Sequence, residues 1–350
     1  MEYLVALLDR NKDLHFSDIH LAVGVPPAVR VDGKMKSLKE STPPTAEDID
    51  TIVRVAMTER QYRDLQAGGE IDTVFIPVPG MRLRLNAYQE RHGVALALRA
   101  IRSLPPDAED LGLPDSLKSA ALRPSGLILI VGPAGSGKST TAAALVEHIN
   151  AHEERHIITL EESIEYLHEN NRSFINQRSV GTGEHSVSFA HALIAALRED
   201  PDVISIGDMR DHATMALALS AAETGHLVIA QMHAGTTYQA ISRIVSSFSN
   251  DEHRHVREQL AQRLIIATAQ RLLPMTTGGR TLAMEVLVNT HAIRVQIREN
   301  NLQGISDSIR TGRESGMFLL EDHMDELLRR GIIEGETVRR YLGHEEGVTH

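Results

Sequence analysis

Residues 132–139 read Gly-Pro-Ala-Gly-Ser-Gly-Lys-Ser, which fits the phosphate-binding pattern G-x-x-x-x-G-K-[ST] residue for residue. The short apolar run Leu127 to Val131 leads into it, and Thr140 to Ile149 leaves it with helical spacing. In that context backbone N–H groups and a helix N-terminus converge on one point, where Lys138 reaches terminal phosphate oxygens and Ser139 offers a hydroxyl to Mg²⁺. The glycines are needed because side chains block so close an approach of backbone to phosphate. Gly132, Pro133, Ala134, Gly135, Ser136, Gly137, Lys138, Ser139 and Thr140 are therefore the expected nucleotide-binding residues, with ATP and Mg²⁺ as ligands. A strand–loop–helix of this kind belongs in an α/β fold, which constrains everything around it.

The surrounding pattern agrees. Ile157 to Leu160, Val203 to Ile206 and Leu227 to Met232 read as buried strands, alternating with helices over Phe189 to Arg198 and His212 to Glu223, the pattern of a mainly parallel sheet covered on both faces. Ahead of it lies a different unit. Ile19 to Val25 and Ala28 to Val31 read as strands around Pro26 and Pro27, and Asp32-Gly33 as a tight hairpin turn. Thr45 to Gln66 reads as one helix, starting at Thr45 with Glu47 and Asp48 in its first turn. Strands follow at Asp72 to Ile76, Arg82 to Gln89 and Val94 to Ile101, completing a small α+β domain. The expected boundaries are a first domain over 1–102, a linker over 103–125 rich in proline, and a second domain over 126–350 that ends in a helical part.

Composition removes several function classes. Basic and acidic residues balance from Met1 to Arg102, so the whole net charge of −11 falls after that point. With that acidic balance, 6 Tyr, 6 Phe and no Trp, no broad surface for stacking bases or neutralising phosphate backbones is expected, hence no nucleic-acid partner. The absence of cysteine excludes a disulfide framework, a thiolate zinc site and a cysteine nucleophile. No apolar run approaches the roughly 18 residues of a spanning helix, and Met1 to Asp13 lacks the layout of a secretory signal, so a cytosolic protein is expected.

Acids and cations around the loop are the remaining candidates. Glu161, Glu162 and Glu165 follow the strand Ile157 to Leu160, where a carboxylate can orient water opposite a γ-phosphate; one helical turn would put Glu161 and Glu165 on one face. A solvated acidic loop is the alternative. Asp208 closes the run Val203 to Gly207, a strand-terminal acid suited to holding Mg²⁺ beside Ser139, or else a simple turn former. His226 and His233 bracket the strand Leu227 to Met232, and a histidine there can donate to the γ-phosphate or merely pack. Arg82, Arg84 and Arg99 lie on neighbouring strands of the first unit, either as a phosphate clamp offered to a neighbouring subunit or as solubilising surface.

Taken in order, SDIHLAVGVPPAVRVDG, MRLRLNAY, GPAGSGKSTT, LEESIEY, ALREDPDVISIGDMRD, AAETGHLVIAQMH and AIRVQIREN resemble the PilT-type pilus retraction ATPases of the secretion ATPase superfamily, over about Asp18 to Ile333. The resemblance implies an N-terminal PAS-like α+β domain followed by a RecA-like P-loop ATPase domain, in a homohexameric ring that binds ATP between neighbours. It implies Glu161 and Glu165 in the acidic box, Asp208 in the second carboxylate motif, His226 and His233 in the histidine motif, and Arg84 and Arg99 as intersubunit arginines. It further implies Mg²⁺-dependent hydrolysis coupled to pilin disassembly in twitching motility. The implied place is the cytoplasmic face of the bacterial inner membrane, with a membrane platform protein at the pilus base and a paralogous retraction ATPase as partners, and without zinc. The segment Ala292 to Glu299 is similar to an element associated with retraction; as a bare pattern it is an amphipathic helix end with Arg294 and Arg298 four apart. The family usually has Glu-Asp-Pro where this chain has Glu161-Glu162-Ser163, Glu where it has Asp208, and His-Thr-Thr where it has His233-Ala234-Gly235. These differences bear on turnover more than on nucleotide binding. A pilus assembly or secretion ATPase, and a weakly hydrolysing accessory paralogue that regulates such a ring, are the alternatives.

Overall fold

The structure is a computed structural model that describes all residues except 12, 13, 15, 32, 33, 79, 80, 102, 103, 182–187 and 343–350. The chain divides into two compact units, Met1–Leu104 and Pro105–His350.

The first unit contains helix α1 (Glu2–Arg10), strands β1 (Asp18–Ala22), β2 (Val25–Val31) and β3 (Lys34–Ser37), helices α2 (Ala46–Ala56) and α3 (Glu59–Gln66), and strands β4 (Ile71–Val78), β5 (Met81–Glu90) and β6 (Gly93–Ile101). The strands form one sheet in the order β3-β2-β1-β6-β5-β4, each pair antiparallel. Alternation sets its two faces. Ile19, Leu21, Val29, Leu83, Leu85, Leu96 and Leu98 are buried with Leu4, Leu7 and Leu8 of α1 and Ile49, Ile52 and Val53 of α2. The opposite face carries Asp18, Arg30, Arg84 and Arg99 in register.

Two local expectations change. Pro26 and Pro27 lie inside β2, at the register shift between the pairs Ala22–Val25 and His20–Ala28, where a residue without an N–H leaves no rung of the ladder broken. The single helix expected over Thr45 to Gln66 is two helices, because Met57 is extended (φ −120°, ψ 153°) and Thr58 starts a new capping box with Gln61. The expected turn at Asp32-Gly33 lies outside the described residues, although Val31 and Lys34 on either side of it pair.

The second unit contains α4 (Asp115–Ala121), β7 (Gly126–Val131), α5 (Lys138–His152), β8 (His156–Glu161), β9 (Phe174–Ser179), α6 (Phe189–Ala196), β10 (Val203–Ile206), α7 (His212–Glu223), β11 (Leu227–Met232), α8 (Thr237–Ser246), α9 (His253–Arg263), β12 (Leu264–Pro274), β13 (Arg280–Val288), α10 (His291–Arg298), α11 (Ile305–Thr311), α12 (Leu320–Arg329) and α13 (Gly335–Leu342). The sheet order is β13-β12-β7-β11-β10-β8-β9, parallel except for the β12–β13 pair. Successive residues of β7 feed opposite cores: Leu127, Leu129 and Val131 pack with α6 to α9, while Ile128 and Ile130 pack with α4 and α5. Each of these fully buried aliphatic side chains contributes about 1.5–3 kcal/mol, so the strand that feeds the phosphate loop is among the best anchored in the fold.

The stretch read as a linker, 103–125, is structured over Pro105 to Pro124. It holds α4, and Ala108, Leu113, Leu117, Ala120 and Ala121 are part of the second unit's core. Its prolines hid a helix too short to show periodicity. At the other end of the chain, α10 buries Ile293 and Ile297 and exposes Arg294 and Arg298, as an amphipathic segment should.

Candidate nucleotide site

All four central parallel strands, β7, β8, β10 and β11, deliver loops to their carboxyl ends, the edge where open α/β sheets bind ligands. Gly132 leaves β7 so close to β12 that a Cβ there would lie 2.7 Å from the Gln270 carbonyl oxygen. Gly137 caps α5 with a left-handed φ of 89°, which turns the chain into the helix. Lys138 Nζ donates to the carbonyls of Gly132 (3.1 Å) and Pro133 (2.9 Å), so the ammonium lies along the loop. Burial pushes the Lys138 pKa down, against the pull of Asp208; the Arg210 charge adds to the drop and Glu165 opposes it. Ser139 Oγ reaches Gln231 Oε1 only at 3.5 Å, and Thr140 Oγ1 pairs with the Tyr166 hydroxyl at 3.0 Å.

Gln270 was not anticipated. It is fully buried on β12 and donates from Nε2 to the Ser136 carbonyl (3.0 Å) and Thr141 Oγ1 (3.2 Å), tying both halves of the phosphate loop to the sheet. Gln231, also missed, is buried at the end of β11 beside Ser139. A polar residue at the closing end of an otherwise apolar strand, as in LVIAQM and LIIATAQ, is the signal that could have found both.

Asp208 follows β10 and is held by backbone bonds on each side: Gly207 N–H donates to the Leu160 carbonyl (2.7 Å) and Met209 N–H to the Gln231 carbonyl (2.8 Å). The residue is 7% exposed. Arg210 Nε pairs with Oδ2, His233 Nε2 stands 3.8 Å from it, and buried Oδ1 has no hydrogen-bond partner. An orphaned carboxylate oxygen and a loosely bonded Ser139 hydroxyl are hard oxygen donors that fit Mg²⁺. Among the described residues no group of three or more His, Asp or Glu could hold a metal by itself, so Mg²⁺ would share its coordination with nucleotide phosphates and water.

His233 lies at the carboxyl end of β11, and burial, Lys138, Arg210 and Arg243 hold its pKa below the ordinary value despite Asp208, leaving a neutral ring. Its carbonyl accepts from Arg243 Nη1 at 2.8 Å. His226 sits at the other end of the strand, about 23 Å away at β-strand rise, bonded to the Ala221 carbonyl at 3.0 Å. The two histidines are not brought together.

Glu161 is the last residue of β8. Its Oε1 accepts from Thr159 Oγ1 (2.7 Å) and Gln177 Nε2 (3.2 Å), and burial pushes its pKa up in spite of those bonds. Glu165 does not share a helical face with it: residues 162–165 are irregular, because Glu161 still belongs to the sheet and the Glu165 backbone N–H turns back toward the Glu161 carboxylate. Glu165 and Glu162 are exposed, with Glu162 3.9 Å from Arg210.

Arg84 and Arg99 belong to the first unit, directly opposite one another on β5 and β6. Arg84 Nε pairs with Asp72 Oδ1 at 2.9 Å and Arg99 Nε with Asp18 Oδ1 at 2.8 Å. Arg82 shares their strand face two residues away.

A phosphate loop with an anchored acid at each of two neighbouring strand ends defines a P-loop nucleotide-binding unit of the ATPase class. The chain belongs to the type II/IV secretion system protein family, whose model matches residues 5–338, and within it to the PilT-type ATPases. It is 38% identical over 325 residues to the type IV pilus retraction ATPase PilT of Pseudomonas aeruginosa, covering 92% of this chain and 93% of that one. It is 40% identical over 321 residues to YggR of Escherichia coli K12, itself uncharacterized, covering 92% and 96%. A crystal structure of the pilus retraction motor PilT with bound ADP matches with a TM-score of 0.87 and 41% identity over 96% of each chain.

Proposed function

We propose that this protein is a ring-forming, Mg²⁺-dependent ATPase that turns ATP hydrolysis into mechanical work for type IV pilus retraction, the activity behind twitching motility. One observation carries the reading: Lys138, Ser139, the orphaned Asp208 oxygen and the tethered Glu161 carboxylate share one sheet edge, in a chain 38% identical to a pilus retraction ATPase over 92% of its length. Loop amides and Lys138 bind the phosphates, and Glu161 orients the attacking water. Ser139 and Asp208 would hold Mg²⁺, which supplies charge neutralisation at the phosphates. Neutral His233 can donate a hydrogen bond toward the γ-phosphate side, and Glu165 adds negative charge near Lys138. Arg84 and Arg99, paired with aspartates in the single chain, act on a neighbouring protomer's nucleotide in a homohexamer. The implied partners are a platform protein at the pilus base and a paralogous retraction ATPase, at the cytoplasmic face of the inner membrane.

One feature favours a second reading, a weakly hydrolysing regulator of such a ring: Asp208 stands where the family usually has Glu and is engaged by Arg210. ATP hydrolysis measured against protein concentration, with oligomer size on the same samples and Glu161→Ala as control, separates the two. A specific rate that rises with ring formation and collapses in the control supports the motor. Tight nucleotide binding with a flat, near-zero rate supports the regulator.

A further inference from the structure

We propose that Thr159 and Gln177 are positioning residues that pin one oxygen of the Glu161 carboxylate, Oε1, and so set the direction in which the carboxylate holds water. The inference rests on the reading of Glu161 as the water-orienting group and deepens it.

The arrangement follows from strand register. Thr159 lies two residues before Glu161 on β8, on the same side of the strand, and β9 pairs in parallel so that Gln177 lies opposite Thr159. Both side chains therefore meet at the same carboxylate oxygen, at 2.7 Å from Thr159 Oγ1 and 3.2 Å from Gln177 Nε2. Thr159 is 2% exposed, so its hydroxyl has no bulk water to exchange with.

The orientation of the Gln177 amide is over-determined. Nε2 also donates to the Tyr166 carbonyl (2.8 Å), while Oε1 accepts from the His168 N–H (3.0 Å). A flipped amide would set an acceptor against two acceptors and a donor against a donor. Gln177 thus ties Glu161 to Tyr166 and His168 in the loop that runs on from it. That loop is tied in turn to the phosphate-binding helix α5, through Tyr166 to Thr140 (3.0 Å) and through the His168 ring to Glu147 (3.0 Å). The carboxylate is held to the element that grips the phosphates and not only to its own strand.

Both contacts are donors and the Glu165 backbone N–H is a third; together they stabilise the ionised form that a water-orienting carboxylate needs against the burial that opposes it. His168 acts on the Glu161 charge directly, and the other titratable or charged groups on its loop and the neighbouring elements are Glu162 and Glu165, Glu147 and Lys138 on α5, Arg178 on β9, and Asp208 and Arg210 after β10. Arg178 is occupied by Glu199 (2.6 Å), and Arg210 by Asp208.

The test uses the full chain with Mg²⁺ and ATP, and ADP affinity as a check that each variant is folded. Thr159→Val keeps the shape and deletes the donor; Gln177→Leu deletes the second donor independently. Each is expected to lower kcat by about ten- to a hundred-fold, the usual weight of a hydrogen bond to a charged group, with KM within about two-fold. Thr159→Ser, which keeps the hydroxyl, is expected to restore most of the rate. In a Glu161→Gln background, Thr159→Val should change the residual rate by less than about two-fold, since its partner's charge is gone. Full additivity in that background, a rise in KM at unchanged kcat, or failure of Thr159→Ser to restore the rate overturns the positioning role. Wild-type turnover by Glu161→Gln alone overturns the reading of Glu161 and the inference with it.

Discussion

Lys138 and Glu161 show how far burial shapes chemistry at single residues. Burial pushes the ammonium of Lys138 down and the carboxyl of Glu161 up, so each charged form is costly until a phosphate or a water is present to use it. Lys138→Ala is expected to reduce ATP hydrolysis by at least about a hundred-fold, measured as kcat/KM at fixed protein concentration; retained hydrolysis would mean that another site turns over the nucleotide. For Glu161 the sign is set by its raised pKa. The ionised form dominates above that value, so turnover is expected to fall as pH drops through it, with an acid limb above the ordinary carboxylate range of about 4 to 4.5. A kcat profile from pH 4 to 8 checks this, and an acid limb at or below the ordinary carboxylate range of about 4 to 4.5 contradicts it. Lys138, Ser139, Asp208 and Glu161 are legible as candidates because loop spacing and strand-end position mark them. Gln231 and Gln270 escaped because a lone polar residue after an apolar run marks only a position; its meaning comes from what the neighbouring strand places beside it.

Helices and strands repeat the lesson with caps and edges. The break between α2 and α3 is written in Thr58 and Gln61, a capping box inside what otherwise reads as one helical stretch. Thr58→Ala is expected to cost about 1 kcal/mol of stability, read as a lower melting temperature with ADP binding unchanged. On β12, Gln270 is the strand's hold on the phosphate loop. Gln270→Leu removes donors to the Ser136 carbonyl and Thr141 and is expected to cost about 1–3 kcal/mol, weakening ADP binding by about ten-fold or more in a calorimetric titration. Equal affinity in that variant would show that the loop holds its shape without β12. The α4 segment was missed for the opposite reason: its apolar residues are too few to show a period, and only the core they enter reveals them.

For the whole molecule the open question is composition of the site. Arg84 and Arg99 sit in one row with Asp18 and Arg30 on the sheet face turned away from the first unit's core. Arg84→Ala and Arg99→Ala are each expected to lower hydrolysis by at least about ten-fold in the assembled protein while leaving ADP affinity of the dilute chain unchanged. Measuring rate and affinity on either side of the assembly concentration checks this; equal losses of both would place the arginines in structural support instead. Among the described residues no helix is long and apolar enough to cross a membrane. By itself the sequence determined the α/β class, the phosphate loop and the acids at strand ends, because these depend on periods and spacings within a few residues. Only the tertiary structure decided that Glu161 and Glu165 share no helix, and which oxygen of Glu161 Thr159 and Gln177 tie down. Those outcomes depend on strand order and register, which bring together residues that no local pattern relates.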